Sequence, residues 1–560
     1  METAATLTID GRQIVAHPGE TVLQTALRHG ISIPHLCTHP NLPAFGACRL
    51  CIVEIDGVRG YPASCSTPAT EGMVVRTDTS TIQNLRRAVL ELILAEHPAA
   101  CLVCDKRELC EKYRPKPLKA GRTIGCHTCN NKQVCEVRDL SESIGLASIP
   151  YVPFYRQLPV ERSDPFIDRD LNLCILCGRC VRICEAHHGQ STIAFVGRGS
   201  QTRIGEAFGR SLTEAGCRFC GSCIDVCPTG SLSDRYAKWY GAPEQSTATT
   251  CMLCDAGCAL TVNTSADNRA AMARAIDTHV PICVLGRFAI PEFLNGVARL
   301  KVPQVRVGKA LRALPWSQAL AQAAERLKPF VGDGFALVCD RTCTLEDRYV
   351  LRKFTREVMQ SPHYLEIEPD ERGVSRTSLP EGVRAALLTG DFVDPERLQG
   401  LDLLIVQDCY PTPVGERAAI SLPVTVLAEV AGTWVDGQQR LRPLQTACGA
   451  PGAAKPDWQI ICELARAMEA AGFEYASPAA IATEMGANGA SLGIGRSQAP
   501  PAASDPSRRR THFRGHCLEE KVRGLRDLRQ AVEEALARRD PARRAASVAE
   551  AVATAAAIGG

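Results

Sequence analysis

Residues 174–184 read CILCGRCVRIC, and residues 217–228 read CRFCGSCIDVCP. Both stretches space four cysteines as Cx2Cx2Cx3C, and the eight are Cys174, Cys177, Cys180, Cys184, Cys217, Cys220, Cys223 and Cys227. Thiolates are soft anionic ligands that hold iron in iron–sulfur clusters. The repeated spacing therefore predicts two [4Fe-4S] clusters in one small, pseudo-symmetric unit.

The second stretch ends in Pro228, which completes the bacterial two-cluster ferredoxin motif. In that motif the fourth cysteine of each run binds the other cluster. One predicted ligand set is therefore Cys174, Cys177, Cys180 and Cys227. The other predicted set is Cys217, Cys220, Cys223 and Cys184.

The cysteines are concentrated in the first half of the chain. Of the 28 cysteines in 560 residues, 22 lie at or before Cys283, and a chain of this length predicts about three to five domains. The first residues, METAATLTIDGRQ, lack the basic and apolar regions of a secretion signal, which argues against disulfides and favours a cytoplasmic protein. A net charge of +3 with 5% aromatic residues gives no nucleic-acid footprint, and no apolar run is long enough to span a membrane.

A further four-cysteine set lies near the start of the chain. Residues 5–31 predict a hairpin turning at Asp10 and Gly11, followed by a helix, which is typical of a β-grasp domain. The cysteines that follow have the spacing Cx10Cx2Cx13C and are Cys37, Cys48, Cys51 and Cys65. The small residues around them, as in FGACRLC, favour a [2Fe-2S] cluster over zinc. The spacing resembles the [2Fe-2S] domain of the large iron–sulfur subunit of bacterial NADH:quinone oxidoreductase and of related NAD-linked hydrogenases and formate dehydrogenases.

One short motif occurs twice between these two regions. A predicted helix over residues 81–97 ends at His97 and leads into Cx2Cx5C at Cys101, Cys104 and Cys110. The same spacing returns at Cys126, Cys129 and Cys135. In the family that the chain resembles, Hx3Cx2Cx5C binds a [4Fe-4S] cluster with one histidine ligand, which implies His97, Cys101, Cys104 and Cys110 as ligands.

The second copy departs from the family pattern and leaves three interpretations open. The favoured one is an additional cluster at Cys126, Cys129 and Cys135, with an unidentified fourth ligand. The second is one cluster that takes its third cysteine from Cys135, and the third is a zinc site or unligated thiols. The predicted cofactors are thus one [2Fe-2S] and four or five [4Fe-4S] clusters.

The last cysteines of the front half have the spacing Cx2Cx3Cx24C and are Cys251, Cys254, Cys258 and Cys283. They resemble the N-terminal [4Fe-4S] subdomain of molybdopterin oxidoreductases. Residues such as AALLTG and LDLLIVQD predict buried strands of a parallel α/β sheet. Leu285 stands where catalytic members have a lysine, and 277 residues follow Cys283, so we expect a shortened scaffold without molybdopterin.

The predicted fold is therefore α+β multidomain. The expected domains are a β-grasp [2Fe-2S] domain (1–80), a His/Cys [4Fe-4S] domain with the duplicated motif (81–150), a two-cluster ferredoxin domain (151–245), a [4Fe-4S] subdomain (246–300), a shortened α/β scaffold (301–492), and a linker with a C-terminal helix (493–560).

The resemblance implies a cytoplasmic electron-transfer subunit without catalytic residues of its own. Its implied partners are an NADH-oxidising flavoprotein that carries FMN and NAD, a small [2Fe-2S] subunit and a further terminal redox subunit. The alternative is a self-sufficient molybdenum or tungsten oxidoreductase of the formate dehydrogenase type.

Overall fold

The computed structural model describes residues 4–98, 100–104, 106–113, 125–126, 129, 131, 134–152, 154–188, 191–240, 243–277, 280–340, 342–367, 375, 378–487 and 512–539. These residues fall into two compact units. The bounds of the first unit are Met1–Ala242, Asp277–Pro281 and Leu528–Gly560, and those of the second are Pro243–Ile276 and Ile282–Asp527. The last set of four cysteines (Cys251, Cys254, Cys258 and Cys283) therefore lies in the same unit as the α/β scaffold.

The first unit begins with the predicted hairpin and helix. The hairpin turns at Asp10 (φ 48°) and Gly11 (φ 77°), the left-handed pair that a two-residue hairpin turn requires. The four-stranded sheet has the order β2-β1-β4-β3, with β1 parallel to β4. Its elements are β1 (Ala5–Ile9), β2 (Arg12–Ala16), α1 (Val22–Arg28), β3 (Glu54–Ile55) and β4 (Val74–Arg76). The core of this domain includes the ligand candidates Cys51 and Cys65.

The rest of the first unit is mainly helices and short hairpins. Its helices are α2 (Ser80–Glu96), α3 (Arg107–Tyr113), α4 (Glu136–Ser143), α5 (Arg179–His188) and α6 (Ser222–Asp225). Its strands are β5 (Ile167–Arg169), β6 (Ala194–Val196), β7 (Arg203–Gly205) and β8 (Leu232–Asp234), with β5 paired to β8 and β6 to β7. The predicted helix before His97 is confirmed, since α2 ends at Glu96 and His97 is its C-cap.

The second unit joins a small antiparallel sheet to a seven-stranded sheet. The small sheet contains β9 (Gln245–Thr250), β10 (Ala259–Thr264) and β11 (Ala270–Ala275). The large sheet has the order β13-β12-β18-β17-β16-β14-β15, and the strands from β18 to β15 run parallel. Its strands are β12 (Gln304–Val307), β13 (Ala310–Ala313), β14 (Phe335–Asp340), β15 (Tyr364–Ile367), β16 (Ala385–Thr389), β17 (Leu403–Asp408) and β18 (Ile420–Pro423).

The predicted parallel strands are confirmed, because β16 and β17 pair in parallel. Every residue of both strands is buried, as in a sheet covered on both faces. The remaining strands are β19 (Gly432–Val435), β20 (Leu441–Leu444), β21 (His512–Phe513) and β22 (His516–Cys517). From residue 290 onward the helices are α7 (Ile290–Leu294), α8 (Trp316–Leu327), α9 (Leu345–Lys353), α10 (Pro413–Arg417), α11 (Asp457–Ala467), α12 (Pro478–Ala487), α13 (Leu518–Lys521) and α14 (Arg523–Arg539). The part of α14 from Leu528 onward belongs to the first unit.

The C-terminal helix predicted within residues 493–560 is present as two helices rather than one. Val522 has extended backbone angles (φ −118°, ψ 105°) and separates α13 from α14. The linker predicted from Gly493 lies outside the described residues as far as residue 511. Within the described part of the chain, no helix has the length and apolar character needed to cross a bilayer.

Candidate iron–sulfur centres

The ferredoxin cysteines gather in two crossed sets. Cys227 lies close enough to act electrostatically on the thiols of Cys174, Cys177 and Cys180. The same four residues line one cavity. The fourth cysteine of the second run therefore lies with the first three of the other run, as the motif predicts.

The reciprocal set is built in the same way. Cys184 acts electrostatically on Cys217 and Cys223, and Cys220 lies with them. Cys223 is buried, and Cys180 of the first set also acts electrostatically on its thiol. The two sets are therefore direct neighbours, which suits the passage of electrons between clusters.

Backbone geometry repeats between the two halves. Leu176 (φ 53°) and Gly178 (φ 70°) flank Cys177, and Phe219 (φ 50°) and Gly221 (φ 76°) flank Cys220. Left-handed backbone is costly for leucine and phenylalanine, so its occurrence at equivalent positions marks a constrained loop. In the second half the Phe219 N–H donates to Cys217 Sγ over 3.3 Å. Amide donors aimed at sulfur stabilise the negative charge of a cluster.

Burial shapes the chemistry of these thiols. It raises the pKa of Cys174 to about 11 and that of Cys177 to about 12, and it raises the pKa of Cys217 to about 12. Grouped buried thiols of this kind are neutral until cations replace their protons. This property fits an iron–sulfur cluster, whose iron ions favour the thiolate form.

The four cysteines of the β-grasp domain form two thiol pairs. Cys48 donates to Cys37 and Cys51 donates to Cys65, and these hydrogen bonds lower the pKa of Cys37 to about 5 and that of Cys65 to about 6. The Cys48 N–H also donates to Cys37 Sγ, and the Leu36 N–H donates to Cys48 Sγ, each over 3.5 Å. Paired thiols with amide donors fit a [2Fe-2S] cluster, which four cysteines hold.

Two arginines hold the loops of this site. Arg86 on α2 is buried and donates to the carbonyl oxygens of Leu50 and Ile52, each over 2.9 Å. Arg182 on α5 donates to the carbonyl oxygens of Pro43 and Cys37. The two-iron site is therefore anchored from both α2 and the ferredoxin helix α5.

The two copies of the duplicated motif are in contact with each other. Cys101 and Cys126 share a hydrogen bond between their side chains, and Cys129 and Cys135 act electrostatically on Cys126. Cys129 and Cys135 are buried, Cys110 is half-buried, and Cys104 is exposed. The structure therefore joins Cys101 of the first copy to Cys126 of the second, which lies near Cys129 and Cys135.

His97 is buried at the end of α2. Its ring hydrogen-bonds to the Leu173 backbone, while Nδ1 has no hydrogen-bond partner among the described residues. Burial lowers the pKa of His97 to about 4, so the imidazole is neutral at physiological pH. A neutral imidazole with one nitrogen hydrogen-bonded to a carbonyl has the form of a metal ligand.

The last four cysteines come together in the second unit. Cys254, Cys258 and Cys283 all act electrostatically on Cys251, and burial raises the pKa of Cys251 well above its ordinary value. The Cys251 N–H donates to the Cys258 carbonyl oxygen over 2.9 Å, which closes the loop between them. The predicted set is therefore assembled, with thiols suited to iron.

Sequence reasoning missed the contact of Cys101 with Cys126 and the roles of Arg86 and Arg182. The contact between Cys101 and Cys126 had one indication in the sequence, which is that the second Cx2Cx5C copy lacks an identified fourth ligand. No sequence motif marks the two arginines, because each donates hydrogen bonds to backbone carbonyl groups of residues that are distant in sequence.

Family models match four parts of the chain. A 2Fe-2S iron–sulfur cluster binding domain matches residues 2–80, and the NADH-ubiquinone oxidoreductase-G iron–sulfur binding region matches residues 86–111. The ferredoxin-like domain of NADH-quinone oxidoreductase subunit 3 matches residues 164–233, and a molybdopterin oxidoreductase model matches residues 361–467. The [2Fe-2S] and [4Fe-4S] binding domains that the spacing predicts are thus confirmed.

Curated relatives agree with these matches. The chain is 32% identical over 362 residues to the NADPH-Fe(3+) oxidoreductase subunit alpha of Geobacter sulfurreducens, covering 63% of this chain and 39% of the relative. It is 31% identical over 367 residues to the NADH-quinone oxidoreductase subunit named G 2 in Rhizobium meliloti, with the same coverage of each chain. A chain in the crystal structure of NAD+-reducing [NiFe]-hydrogenase in the H2-reduced state is 33% identical, with 41% of this chain and 87% of that chain covered and a TM-score of 0.34.

The assembled cysteines and the domain models define a multi-cluster iron–sulfur protein. It is similar to the G-type subunits of the NADH-quinone oxidoreductases, and parts of it match the models of iron–sulfur binding domains. The chain spans 39% of the length of the two curated relatives described above.

Proposed function

We propose that this chain is the iron–sulfur electron-transfer subunit of a NAD(H)-linked oxidoreductase complex. The observation that carries the proposal is the gathering of the eight ferredoxin cysteines into two neighbouring crossed sets. Iron–sulfur clusters accept and release single electrons, and neighbouring clusters conduct them. The chain's own residues hold, space and shield the clusters.

The proposed ligands follow the assembled sets. Four cysteines of the β-grasp domain hold [2Fe-2S], eight hold the ferredoxin pair, and four in the second unit hold another [4Fe-4S]. The duplicated motif supplies a further [4Fe-4S], which the match over residues 86–111 supports.

Contacts within the first unit support an electron path between these centres. Arg182 connects the ferredoxin helix α5 with the backbone of Cys37. The ferredoxin pair also lies near the duplicated motif, since Cys227 acts electrostatically on Cys135. Arg179 reinforces this second connection, since it is buried and donates to both carboxylate oxygens of Glu136, the residue after Cys135, over 2.6 and 2.8 Å. The ferredoxin pair is therefore the proposed junction of the path.

Two-electron chemistry is assigned to partners. The proposed donor or acceptor at one end is an FMN flavoprotein that reacts with NAD(H), together with a small [2Fe-2S] subunit, and another redox subunit completes the path. The α/β scaffold of the second unit is proposed to shield the last cluster. The cytoplasm is the proposed location, because its reducing conditions preserve thiolate ligands.

The test compares two reductants on the anaerobically purified, fully loaded chain. We expect no bleaching of cluster absorbance by NADH alone, and rapid bleaching when the FMN and small [2Fe-2S] subunits of a bacterial NADH-quinone oxidoreductase are added. The same two subunits without the chain are the blank. Formate-dependent bleaching of the chain alone, with molybdenum or tungsten near one per chain, would overturn the proposal in favour of a self-sufficient oxidoreductase.

A further inference from the structure

The two halves of the ferredoxin unit differ at one position beside their cysteines. In each half, one residue lies ten positions after the second cysteine of the run and three positions after the fourth. In the first run this residue is His187, and in the second run it is Gly230. The first run therefore supplies a side chain at a position where the second run has none.

His187 acts on a ligand of the opposite run. It lies on α5, and its side chain acts on the Cys220 sulfur as a hydrogen-bond donor and electrostatically. Cys220 belongs to the second ferredoxin cluster, whose proposed ligands are Cys217, Cys220, Cys223 and Cys184. We propose that His187 is a positioning residue that acts through Cys220 and raises the reduction potential of the second ferredoxin cluster.

The effect follows from the charge of the cluster. A reduced cluster carries one more negative charge than an oxidised one, and its cysteine sulfurs share that charge. A hydrogen-bond donor at a sulfur therefore stabilises the reduced form more than the oxidised form, which raises the reduction potential. Ser222 supports the same sulfur, because its backbone N–H donates to Cys220 and its hydroxyl oxygen lies 3.4 Å from Cys220 Sγ.

The corresponding thiols of the two halves differ as this proposal requires. Burial raises the pKa of Cys177 to about 12, although the Arg179 N–H donates to its sulfur. Burial also raises the pKa of Cys220, but the hydrogen bonds from His187 and Ser222 outweigh it, so that this pKa lies below its ordinary value. The surroundings of Cys220 therefore favour a negatively charged sulfur more than those of Cys177 do.

The structure leaves no space for a counterpart of His187 in the other half. A Cβ atom added at Gly230 would lie 2.7 Å from Cys129 Sγ, closer than atoms can pack. A side chain at this position would therefore displace a cysteine of the duplicated motif. The difference between the two clusters is thus built into their packing.

Cationic side chains near the first ferredoxin cluster do not cancel this difference. Arg156 and Arg179 act electrostatically on cysteines of that set. Each is paired with a carboxylate, since Arg156 contacts Glu96 over 2.9 Å and Arg179 contacts Glu136 over 2.6 Å. The carboxylates offset the positive charge that would otherwise raise the potential of the first cluster.

The first test is an anaerobic redox titration of the loaded full chain, followed by EPR. C177S and C220S assign the signals, because each alters the spectrum of its own cluster. H187F keeps an aromatic ring but removes the N–H donor, and H187L removes the ring as well. In both we expect the midpoint potential of the second ferredoxin cluster to fall by about 59 mV, a tenfold change in the equilibrium constant for one electron. The potential of the first ferredoxin cluster is the internal control. An unchanged potential of the second cluster, or an equal fall in both, would overturn the inference.

The second test separates hydrogen bonding from packing. The amides of H187N and H187Q place an N–H near the positions of Nδ1 and Nε2 of the imidazole. We expect at least one of them to restore the potential of the unaltered chain. Potentials as low as that of H187F in both amide variants would contradict a role as hydrogen-bond donor.

The inference rests on the proposed function, because it requires clusters at both ferredoxin sets. Failure of the unaltered chain to bind iron at the ferredoxin cysteines would contradict the proposed function. A loaded chain whose potentials do not respond to replacement of His187 would contradict this inference alone.

Discussion

The guanidinium of Arg182, on the ferredoxin helix α5, donates a hydrogen bond to the carbonyl oxygen of Cys37, the first cysteine of the two-iron site. The same side chain lies over the Phe45 ring, 4.9 Å from its centroid, and Phe45 stacks on Phe195. One ferredoxin residue thus fixes the backbone and the neighbouring ring of a different cluster domain. Contacts of this kind keep two centres at a constant separation.

Replacement of Arg182 by leucine should loosen the two-iron site. The change removes two charge-assisted hydrogen bonds and the ring contact, which we expect to cost about 2 kcal/mol. The measurement is the rate at which a chelator bleaches the [2Fe-2S] signal of the full chain. Leucine at Arg87, an exposed residue of α2, is the control. Equal bleaching rates for R182L and unaltered chain would contradict this role.

Crossed ligation of the ferredoxin pair predicts a specific pattern in double variants. Serine at Cys174 and Cys227 alters two ligands of one cluster, so about four iron atoms should be lost. Serine at Cys174 and Cys184 alters one ligand in each of two clusters, so about eight should be lost. Iron analysis and EPR of the loaded proteins distinguish the two results. The reverse ranking would show that each run binds its own cluster.

The buried pair of Arg299 and Glu429 should dominate the local stability of the second unit. Two hydrogen bonds of 2.7 and 3.1 Å join their side chains, and both residues are buried. R299M leaves a buried carboxylate without its partner, which we expect to cost about 3–5 kcal/mol in the free energy of unfolding. Urea unfolding followed by tryptophan fluorescence measures this, since three of the four tryptophans lie in the second unit.

The double variant R299M/E429Q should recover part of that loss, because no charge then remains buried and unpaired. K328M, which breaks the exposed pair with Glu325, is the matched control and should change the midpoint little. Equal effects of R299M and K328M would contradict the prediction.

Asp391 should make the second unit less stable as the pH rises. Burial and the neighbouring Asp408 raise its pKa to about 7, while His516, Thr412 and Lys521 act in the opposite direction. Between pH 6 and 8 the carboxyl is ionised throughout in the unfolded chain, but it loses its proton in the folded chain. The folded state therefore loses about 1.4 kcal/mol of stability across this range.

The comparison is between unaltered chain and D391N, measured as urea midpoints at both pH values. The stability of D391N relative to unaltered chain should rise from pH 6 to pH 8. D333N, at an exposed aspartate before β14, should show no such change. A difference between D391N and unaltered chain that does not vary with pH would disprove the assignment.

Much of the fold follows from local patterns in the sequence. The left-handed turn at Asp10 and Gly11 marks the β-grasp hairpin, and the apolar runs of β16 and β17 mark a covered parallel sheet. The ferredoxin cysteines were predictable because each metal centre requires its ligands at a narrow set of spacings. The break at Val522 was not predictable, since the charged helical pattern continues through it.

The contact between the two copies of the duplicated motif could not be predicted from cysteine spacing. Spacing alone groups Cys101 with Cys104 and Cys110, because ligands that are close in sequence are expected to share a metal. In the structure the side chain of Cys101 is also hydrogen-bonded to that of Cys126, which is distant in sequence. Likewise, Arg182 acts on Cys37 across 145 residues, and no periodic pattern connects the two positions.

A reductive titration of the isolated, fully loaded chain tests the central claim most directly. Dithionite is added anaerobically, and EPR and visible absorbance are followed to completion. A conductor with one [2Fe-2S] and four [4Fe-4S] clusters should take up about five electrons per chain, each in a one-electron step assigned to an iron–sulfur signal. Uptake of one or two electrons, or a two-electron step at a molybdenum or tungsten signal, would contradict the account.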